Sequence, residues 1–506
     1  MLGDAADQSV SALVTDSSNT DGDFLESFDD DRAMDRPREA CGVFGIYAPG
    51  LDVARITYFG LYALQHRGQE SAGIVTTDGS GELLDHRDVG LVNQVFQERD
   101  LKTLKGFAAI GHTRYSTTGS NKKENAQPLL GNTEDLGPFA LGHNGNLTNT
   151  IQLRESLERQ GQKFDATSDT EVIARLIERA PGKSYVEKIR KVMPKLQGAY
   201  SLVLITKDSV IALRDPHGVR PLCIGQRDDH WVVASETCAL PPVGAKFIRE
   251  VNPGEIVVID GDGADGLHTT TGQLSTRTAS CLFEYIYFAR PDSALSGRSL
   301  YLARRRMGAE LAREWPVEAD LVIGVPESAT PAAAGYASER KMDYADGLIK
   351  NRYIQRTFIQ PDQEMRKMGV QMKFNAVEAV LAGKSVVMID DSIVRGTTVK
   401  PLVKLLREAG VKKVHLGISS PMFMWPCYLG LDVAKRDELI AARLPDPDEI
   451  AREVGADSLH YLSLEGLTRA IDLPQDSFCV GCFTGKYPVP VQMEIADKLM
   501  LEPTLA

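Results

Sequence analysis

The sequence predicts two successive domains: a mixed domain of sheets and helices, followed by an α/β domain with a parallel sheet. Three observations predict this. The chain has 506 residues, of which 43% are hydrophobic and 25% charged, enough for about two to four compact units. Strand-like segments, two helical segments and further strand-like segments come first, without a repeated βαβ unit. After a polar segment at residues 261–280, rich in Gly, Thr and Ser, strands and helices alternate.

The acidic charge is concentrated ahead of the first domain. Residues 1–40 hold nine Asp, two Glu and three Arg, a net charge of -8 out of -12 for the chain. We expect this segment to be disordered, because it has few large apolar residues. It lacks the basic and apolar regions of a secretion signal, and no stretch elsewhere has the ~18 apolar residues of a membrane-spanning helix. An acidic chain is also unsuited to coating nucleic acid, so we expect a cytoplasmic protein without nucleic-acid or membrane partners.

The first domain is predicted to begin at Cys41. Its first helix is predicted because five residues at helical spacing share one face: Val53, Ile56, Gly60, Leu61 and Leu64. Two more helices are predicted at SDTEVIARLIERA and SYVEKIRKVMPKL. The strand-like segments are CGVFGIYA, AGIVTTD, GFAAIGHTRYS and FALGHNGNL before these helices, and AYSLVLITKD, SVIALRDP, PLCIGQ, WVVASE and EIVVIDG after them.

The second domain is predicted from the alternation of its segments. They are strand LVIGVP, helix AAAGYASERK, strands GLIKN and SVVMIDD, helix TTVKPLVKLLREAG and strand VKKVHLGISS. In the last helix four apolar residues share a face: Val399, Leu402, Leu405 and Leu406. Gly410 follows them as a C-terminal cap.

The segment VVMIDDSIVRGTT carries the most specific chemical signal. A buried apolar strand ends in Asp390 and Asp391, and a tight turn containing Gly396 leads into a helix whose start carries two threonines. Backbone N–H groups at a helix start, beside hydroxyls, form a cradle for a phosphate. Paired acids at the end of a parallel strand suit vicinal hydroxyls or a hydrated Mg²⁺. If the acids only capped the turn, one would be enough.

These residues resemble the signature of the phosphoribosyltransferase family. The resemblance implies that Asp390 and Asp391 bind the ribose hydroxyls of phosphoribosyl pyrophosphate (PRPP), together with magnesium. It also implies that the loop binds the 5-phosphate through Ser392, Arg395, Gly396, Thr397 and Thr398. The earlier strand in LVIGVPESAT ends near Ser328, which matches a position close to the pyrophosphate and the metal; an ordinary turn serine is the alternative.

A basic run lies between the two strands. Its cations are Lys350, Arg352, Arg356, Arg366, Lys367 and Lys373. One interpretation is a solvated loop. The other is a flexible loop that closes over the anionic PRPP and excludes water, with Lys350 and Arg352 contacting the substrate.

Cys41 is a candidate nucleophile, because it follows the acidic segment and begins a strand. Removal of residues 1–40 would give it a free α-amine with a pKa near about 7.7 to 8.0, a workable base for its own thiol. A buried structural cysteine is the alternative. Arg114 in HTRYST and Asp169 in SDTE provide the cation and anion that would hold the α-groups of glutamine. The Asn144 amide and Gly145 N–H in HNGN could stabilise an oxyanion.

The order CG, QHRGQES, HTRYST, HNGN and SDTE resembles the glutaminase domain of N-terminal-nucleophile amidotransferases over most of residues 41–270. The resemblance implies a four-layer αββα fold. In the mature enzymes of that family the nucleophile is the first residue, whereas Cys41 is internal as written. Processing is therefore an inference.

The seven cysteines are too few and too irregular for a disulfide framework. Four of them form a candidate metal site, with a C-x2-C pair at its centre: Cys281, Cys427, Cys479 and Cys482. Four thiolates suit zinc or an iron-sulfur cluster, and spacing alone does not choose between them; four separate buried thiols are the remaining alternative. Cys223 and Cys238 are interpreted as core thiols.

A glutaminase placed before a phosphoribosyltransferase resembles the family of amidotransferases that use PRPP. The resemblance implies a propeptide at residues 1–40, a glutaminase domain at 41–272 and a phosphoribosyltransferase domain at 273–506. It further implies a 4Fe-4S cluster on the four cysteines, a homotetramer, inhibition by purine nucleotides and a role in purine synthesis. Two alternatives are weighed against it. An amidotransferase with another acceptor would not need the ribose-phosphate loop, and a PRPP-sensing regulator would not need the glutamine-binding residues.

Overall fold

A computed structural model describes residues 41–116, 118–351, 373–431, 435–491 and 501. The expectations for residues 1–40 and for Arg352, Arg356, Arg366 and Lys367 lie outside these residues. In the part of the chain that is described, two bodies follow one another, here called the front unit (residues 41–271) and the rear unit (residues 279–491). No helix within the described ranges has the length and apolar character needed to cross a membrane.

The front unit alternates between strands and a few helices. Its strands are β1 (Gly42–Tyr47), β2 (Ser71–Thr77), β3 (Leu83–Val89), β4 (Ala108–Arg114), β5 (Leu129–Thr133), β6 (Gly137–Leu147), β7 (Gly198–Ile205), β8 (Val210–Arg214), β9 (Cys223–Arg227), β10 (His230–Ala234), β11 (Lys246–Glu250), β12 (Glu255–Ile259) and β13 (Leu267–Thr271). Its helices are α1 (Val53–Ala63), α2 (Val92–Val95), α3 (Glu98–Thr103), α4 (Thr150–Glu158), α5 (Asp169–Arg179) and α6 (Tyr185–Val192).

Two antiparallel sheets form the middle layers of the front unit. One has seven strands in the order β11-β9-β10-β1-β4-β2-β3, and the other has six in the order β13-β12-β8-β7-β6-β5. A core that includes Val43, Ile110 and Val203 fills the space between them. Helix α1 covers the outer face of the first sheet, and α5 and α6 cover that of the second. The order of layers is αββα, as the resemblance implied.

The sequence of α1 explains how this helix packs against the first sheet. Asp52 caps its N-terminus by accepting the N–H of Arg55 at 3.0 Å. The apolar face predicted from the spacing is buried. At Gly60 an added Cβ would lie 2.4 Å from the Phe44 ring, so the absence of a side chain lets the helix approach the sheet closely.

The polar segment at residues 261–280 is not entirely a linker. It contains β13, which pairs antiparallel with β12 at the edge of the second sheet. Its three consecutive threonines, 269–271, are β-branched residues that favour a strand, and composition alone does not reveal this pairing.

The rear unit follows with shorter strands. They are β14 (Ser280–Cys281), β15 (Ala294–Leu295), β16 (Arg298–Ser299), β17 (Leu321–Gly324), β18 (Leu348–Lys350), β19 (Phe374–Ala376), β20 (Ser385–Asp390), β21 (Lys413–Ile418), β22 (Ser458–Tyr461) and β23 (Phe478–Cys479). The helices are α7 (Leu300–Glu314), α8 (Thr330–Arg340), α9 (Glu378–Leu381), α10 (Val399–Glu408), α11 (Ile440–Arg443), α12 (Pro447–Val454), α13 (Leu464–Ile471) and α14 (Gly481–Thr484).

A four-stranded parallel sheet, in the order β17-β20-β21-β22, forms the centre of the rear unit. Helices cover both faces, over one core that includes Met307 and Tyr336 and another that includes Leu402 and Ile450. The segment GLIKN does not join this sheet. It forms β18, which pairs antiparallel with β19 in a separate two-stranded ribbon.

Two candidate active sites and a cysteine cluster

Cys41 lies immediately before β1 in the front unit and is 6% exposed. Its Sγ donates to the carbonyl oxygen of Tyr115 at 3.3 Å. Burial raises the pKa of the thiol to about 11, while this hydrogen bond and the charge of Arg114 act in the opposite direction. The thiol is therefore neutral near pH 7 and needs a base to become a nucleophile.

Arg114 ends β4 beside this thiol, and its side chain is buried. Its guanidinium donates to the carbonyl oxygens of Thr118, Gly119 and Ser120 at 3.1, 3.4 and 3.0 Å. The Glu70 carboxylate lies 4.0 Å away. These bonds fix a buried cation where a substrate carboxylate could be bound.

Asp169 is the first residue of α5 and is 4% exposed. Its Oδ2 accepts the N–H of Leu147 at 3.0 Å, and its Oδ1 lies 3.5 Å from Nδ1 of His143. Burial opposes ionisation, yet His143 and the Leu147 N–H keep the pKa of this carboxyl below its ordinary value. A fixed anion therefore lies close enough to Arg114 for the charge of that guanidinium to lower its pKa as well.

Asn144 and Gly145 lie near the end of β6, the strand that leads to Leu147. Asn144 Nδ2 donates to Ser235 Oγ at 3.4 Å, and Ser235 Oγ accepts the N–H of Val43 at 2.9 Å, which ties this strand to the nucleophile strand. Oδ1 of Asn144 is buried, and none of the described residues hydrogen-bonds to it. Gly145 has φ 151°, and an added Cβ would lie 2.0 Å from the Ala199 carbonyl oxygen. The structure thus gathers all five residues predicted for the front site.

In the rear unit, Asp390 ends β20 and Asp391 follows it; they are 4% and 1% exposed. The hydroxyl of Ser328 donates to Asp391, and so does that of Ser392, at 2.8 Å. Asp390 accepts the N–H of Asp391 at 2.9 Å. The three candidates for magnesium, namely the two acids and Ser328, therefore lie together. All offer oxygen atoms, the ligands that Mg²⁺ prefers.

The loop after the two acids makes the expected turn into α10. Gly396 adopts φ 80°, where a Cβ would meet Ile440 at 2.6 Å. Thr397 is exposed, whereas Thr398 is buried at the helix start. Arg395 pairs with Glu438 at 3.0 Å. Hydroxyls and a helix N-terminus are thus placed as an anion cradle requires.

Lys350 is exposed at the end of β18, in the ribbon beside the parallel sheet. Arg352, the other residue predicted to contact the substrate from this basic run, lies outside the described residues. Only one member of this pair can therefore be placed.

The four cysteines of the candidate metal site converge from distant parts of the rear unit. Cys281 and Cys479 are register partners in the parallel pair β14 and β23. The Cys482 carbonyl accepts the N–H groups of Met424 and Trp425 at 3.0 Å, and Cys427 Sγ accepts the N–H of Leu429 at 3.4 Å.

Burial raises the pKa of all four thiols, and for Cys479 and Cys482 the charges of the neighbouring cysteines raise it further. With their pKa raised, these thiols stay protonated near pH 7, and a bound cation would be needed for them to act as thiolate ligands. The donor set therefore fits a metal centre.

Four sulfur donors suit zinc or an iron-sulfur cluster alike. Across the described ranges, one group of three or more potential ligand atoms lies within 4.8 Å of one another, namely His66, Glu236 and Cys238.

The His66, Glu236 and Cys238 group does not suit a cation. Glu236 already binds the Arg67 guanidinium, and its other oxygen accepts the Ser293 hydroxyl at 2.8 Å. Cys238 is a core thiol, as is Cys223, and both predictions are confirmed.

Several buried charges beside the front site were missed at the sequence level: Arg67, Arg220, Glu236 and Glu284. Arg67 stands in QHRGQES, and Glu284 interrupts the apolar run LFEYIYF. An acid inside an apolar run indicates a buried, paired charge, but its partners lie too far along the chain to be identified from spacing.

Two family models match the chain, one described as a glutamine amidotransferase domain over residues 112–242 and one as a phosphoribosyl transferase domain over residues 295–419. The amidophosphoribosyltransferase of Synechocystis sp. is 52% identical over 481 residues, covering 92% of this chain and 95% of that protein. The chain belongs to the amidophosphoribosyltransferase family. It carries that family's glutamine amidotransferase and phosphoribosyltransferase domains in the predicted order.

Solved structures of the family extend this likeness to the fold. The glutamine PRPP amidotransferase from B. subtilis, complexed with ADP and GMP, is 47% identical with a TM-score of 0.84, over 90% of this chain and 99% of that one. A structure described as the allosteric regulatory enzyme of purine biosynthesis is 47% identical with a TM-score of 0.86, over 92% of this chain and 100% of that one. The predicted fold, a glutaminase domain followed by a parallel α/β domain, is confirmed.

Proposed function

We propose that this chain is a glutamine-dependent amidophosphoribosyltransferase. It releases ammonia from glutamine in the front unit and attaches it to PRPP in the rear unit, giving 5-phosphoribosylamine, glutamate and pyrophosphate. This is the first committed step of purine synthesis. The observation that carries the proposal is the convergence of five residues from β4, β6, α5 and the position just before β1 of the front unit: Cys41, Arg114, Asn144, Gly145 and Asp169.

Glutamine binding follows from two fixed charges. The Arg114 guanidinium binds the substrate α-carboxylate, and the Asp169 carboxylate binds the α-ammonium. Both side chains are buried, which strengthens these ion pairs relative to water. The side-chain amide of glutamine is thereby directed to the Cys41 thiol.

Cleavage of the amide begins with attack of the Cys41 sulfur on its carbon. The α-amine exposed by removal of residues 1–40 accepts the thiol proton and passes it to the departing nitrogen, so that ammonia leaves and a thioester remains. Water then hydrolyses the thioester to glutamate and restores the thiol. The Asn144 amide and the Gly145 N–H stabilise the oxyanion in both steps.

PRPP binding follows from the rear loop. Asp390 and Asp391 bind the ribose hydroxyls, which replace the serine hydroxyls now donating to Asp391. The residues that bind the 5-phosphate are Ser392, Arg395, Gly396, Thr397 and Thr398, with Lys350 and Arg352 at the pyrophosphate. Ammonia displaces pyrophosphate from C1. A shielded passage between the two sites would keep the ammonia unprotonated.

Two metal groups belong to the proposal. Ser328, Asp390 and Asp391 would hold Mg²⁺, which neutralises pyrophosphate charge when bound. Cys281, Cys427, Cys479 and Cys482 would hold a 4Fe-4S cluster, which ties together segments that are distant in sequence. The oxygen and sulfur donor sets described above support each assignment.

The domain limits and the assembly are also proposed. Residues 1–40 form a propeptide, 41–272 the glutaminase domain and 273–506 the phosphoribosyltransferase domain. We further propose a homotetramer that purine nucleotides inhibit. The B. subtilis enzyme, whose solved structure is a complex with ADP and GMP, supports the nucleotide part.

A Cys41→Ala variant tests the separation of the two sites. It should lose glutamine-dependent synthesis and glutamate release, yet keep synthesis from added ammonium salt, both measured as pyrophosphate release. Cys223→Ala, which removes a buried thiol from the same unit, is the matched control and should keep both activities. Loss of both activities in Cys41→Ala alone would contradict the proposal.

A further inference from the structure

A ring of buried hydrogen bonds begins at the nucleophile residue. Nε of Arg67 donates to the carbonyl oxygen of Cys41 at 3.1 Å. The other two nitrogens of this guanidinium donate to the two carboxylate oxygens of Glu284 at 2.9 and 2.7 Å. Arg67 and Glu284 are both 1% exposed. The backbone of Cys41 is thus held, through one arginine, by a carboxylate of the rear unit.

Glu284 continues the ring on its other side. It begins the π-helical turn Glu284–Phe288, whose side chains pack in the core of the rear unit. The same carboxylate accepts Nη1 of Arg220 at 3.1 Å, and Nε and Nη2 of Arg220 donate to the Leu429 carbonyl at 3.1 and 3.0 Å. Glu284 therefore holds two arginines that belong to the front unit.

The ring closes where residues 428–430 touch the oxyanion strand. Asn146 Nδ2 donates to the Tyr428 carbonyl at 3.0 Å. Gly430 has φ 106°, and an added Cβ would lie 3.2 Å from the Gly145 carbonyl carbon and 2.9 Å from Arg220 Nη2. The backbone of the rear unit therefore packs directly against Gly145.

We propose that Glu284 is a positioning residue for the glutaminase reaction, which rests on the function proposed for Cys41. Through Arg67 it holds the nucleophile residue, and through Arg220 it holds the segment that supports Gly145. A carboxylate outside the glutaminase domain thus fixes β1, which follows Cys41, relative to β6, which carries Gly145. The rear unit therefore completes the geometry of the front site.

Glu236 does not share this role. It also pairs with Arg67, but its other partners are His66, Ser293, the Cys238 thiol and the Arg290 N–H, none of which reaches the oxyanion strand. Only Glu284, among the described acids, connects both arginines of the ring.

The ring acts on the reacting atoms rather than on substrate binding. Arg114 and Asp169, which would bind the two ends of glutamine, form no bond in it. Misplacing a nucleophile by about 1 Å costs on the order of a hundredfold in rate. Loss of these hydrogen bonds should therefore lower kcat for glutamine and leave the KM for glutamine unchanged.

Glu284→Gln in the full chain tests this directly. The amide keeps the shape, but it carries no negative charge for the two arginines, and its NH2 group cannot accept the hydrogen bond that one carboxylate oxygen now receives from Arg67. At saturating PRPP, glutamine-dependent kcat should fall about tenfold to a hundredfold, with the KM for glutamine unchanged within about twofold. Ammonium-dependent synthesis by the same preparation should stay within about twofold. Glu314→Gln, which removes a rear-unit carboxylate paired with Ser463 outside the ring, is the control.

Gly430→Ala tests the opposite side of the ring without removing a charge, because an added Cβ would crowd the Arg220 guanidinium and the Gly145 backbone. Gly455→Ala is its matched control, since Gly455 has a similar positive φ of 83° and an added Cβ there would meet only Val403, at 3.8 Å. Both variants place a side chain on a backbone with positive φ, so both carry backbone strain. Only Gly430→Ala should lower glutamine-dependent kcat, and thermal unfolding of the two should be alike to within a few degrees.

The outcomes separate the two proposals. If the wild-type chain releases no glutamate from glutamine, the proposed function fails and the inference with it. If the wild type is active but Glu284→Gln and Gly430→Ala keep its glutamine-dependent kcat, or lose glutamine and ammonium activity in parallel, the positioning role is overturned. Should Glu284→Gln not fold, Gly430→Ala alone decides.

Discussion

At the scale of single residues, the front site combines a neutral thiol with charged neighbours. Asp169 stays ionised because His143 and a backbone N–H lie against it, whereas Cys41 has only a carbonyl as its hydrogen-bond partner and a pKa raised to about 11 by burial. The site thus separates two tasks. Its charged residues bind the substrate, whereas its thiol becomes nucleophilic only after a base removes the thiol proton.

This difference predicts how the thiol reacts in the full-length chain. At pH 8, three units below the pKa, about one thiol in a thousand is ionised, so alkylation of Cys41 by iodoacetamide should be slow. Because the thiolate is the reactive form, the rate should rise about tenfold per pH unit up to about pH 11. The measurement is peptide mapping of alkylated Cys41 against time between pH 7 and 10.

A chain beginning at Cys41 provides the comparison. Its α-amine can accept the thiol proton, so alkylation should be faster near pH 8 and should depend less steeply on pH. Cys41→Ser gives the background. Equal pH profiles for the two chains would argue against the α-amine as the base.

Single residues also show what the sequence could predict about the site. Cys41, Arg114, Asn144 and Asp169 each stand in a short motif whose chemistry can be interpreted locally, and the structure brings them together. Glu284 could not be found in this way, because its partner Arg67 lies 217 positions away. The role of Glu284 follows from its burial and from its ion pairs with two arginines, which are visible only in the folded structure.

At the scale of elements, α7 and α8 cross with glycine on each helix. An added Cβ at Gly308 would lie 1.8 Å from the Ala332 carbonyl oxygen, and one at Gly335 would lie 1.8 Å from that of Arg305. Backbone atoms cannot move aside as a flexible side chain can. The crossing therefore depends on both glycines.

Gly308→Ala should destabilise the protein, although alanine favours a helix by about 1 kcal/mol over glycine. Overpacking against a rigid carbonyl costs about 1–3 kcal/mol or more, which outweighs that gain. Thermal unfolding should show a lower midpoint. The control is Ser338→Ala, which replaces an exposed serine of α8 and should change the free energy of unfolding by no more than about 0.5 kcal/mol. An unchanged or raised midpoint for Gly308→Ala would show that the helices can separate at little cost.

The predicted helices and strands are confirmed where the periodic pattern of apolar residues extends over several turns. Helix α10 buries Leu402 and Leu406 as predicted, Leu405 is partly buried, and Gly410 at φ 82° ends the helix. Its N–H donates to Arg407 and the next N–H to Leu406, the expected cap geometry. The short run GLIKN forms a strand as predicted, but its two large apolar residues do not specify a pairing partner, and it pairs with β19 outside the parallel sheet.

At the scale of the whole molecule, the chain is tied together at the junction of its two units. Cys281 begins the rear unit, Cys479 and Cys482 lie near its end, and Cys427 adjoins the segment that packs against Gly145. A metal centre on these thiols would therefore fix the junction as well as the rear unit. The cysteine spacing predicted a metal site, but its position beside the front site depends on tertiary structure.

Cys479→Ser tests this centre. Purified without oxygen, the wild-type chain should contain iron and sulfide in stoichiometric amounts with visible absorption, because four buried thiolates need a cationic centre. Cys479→Ser should lose that absorption and unfold at lower temperature, since one of the four ties is removed. Cys223→Ser, a buried thiol of the front core, should keep the metal. Stoichiometric zinc without iron in the wild type would refute the cluster, whereas retention of iron by Cys479→Ser would remove Cys479 from its ligands.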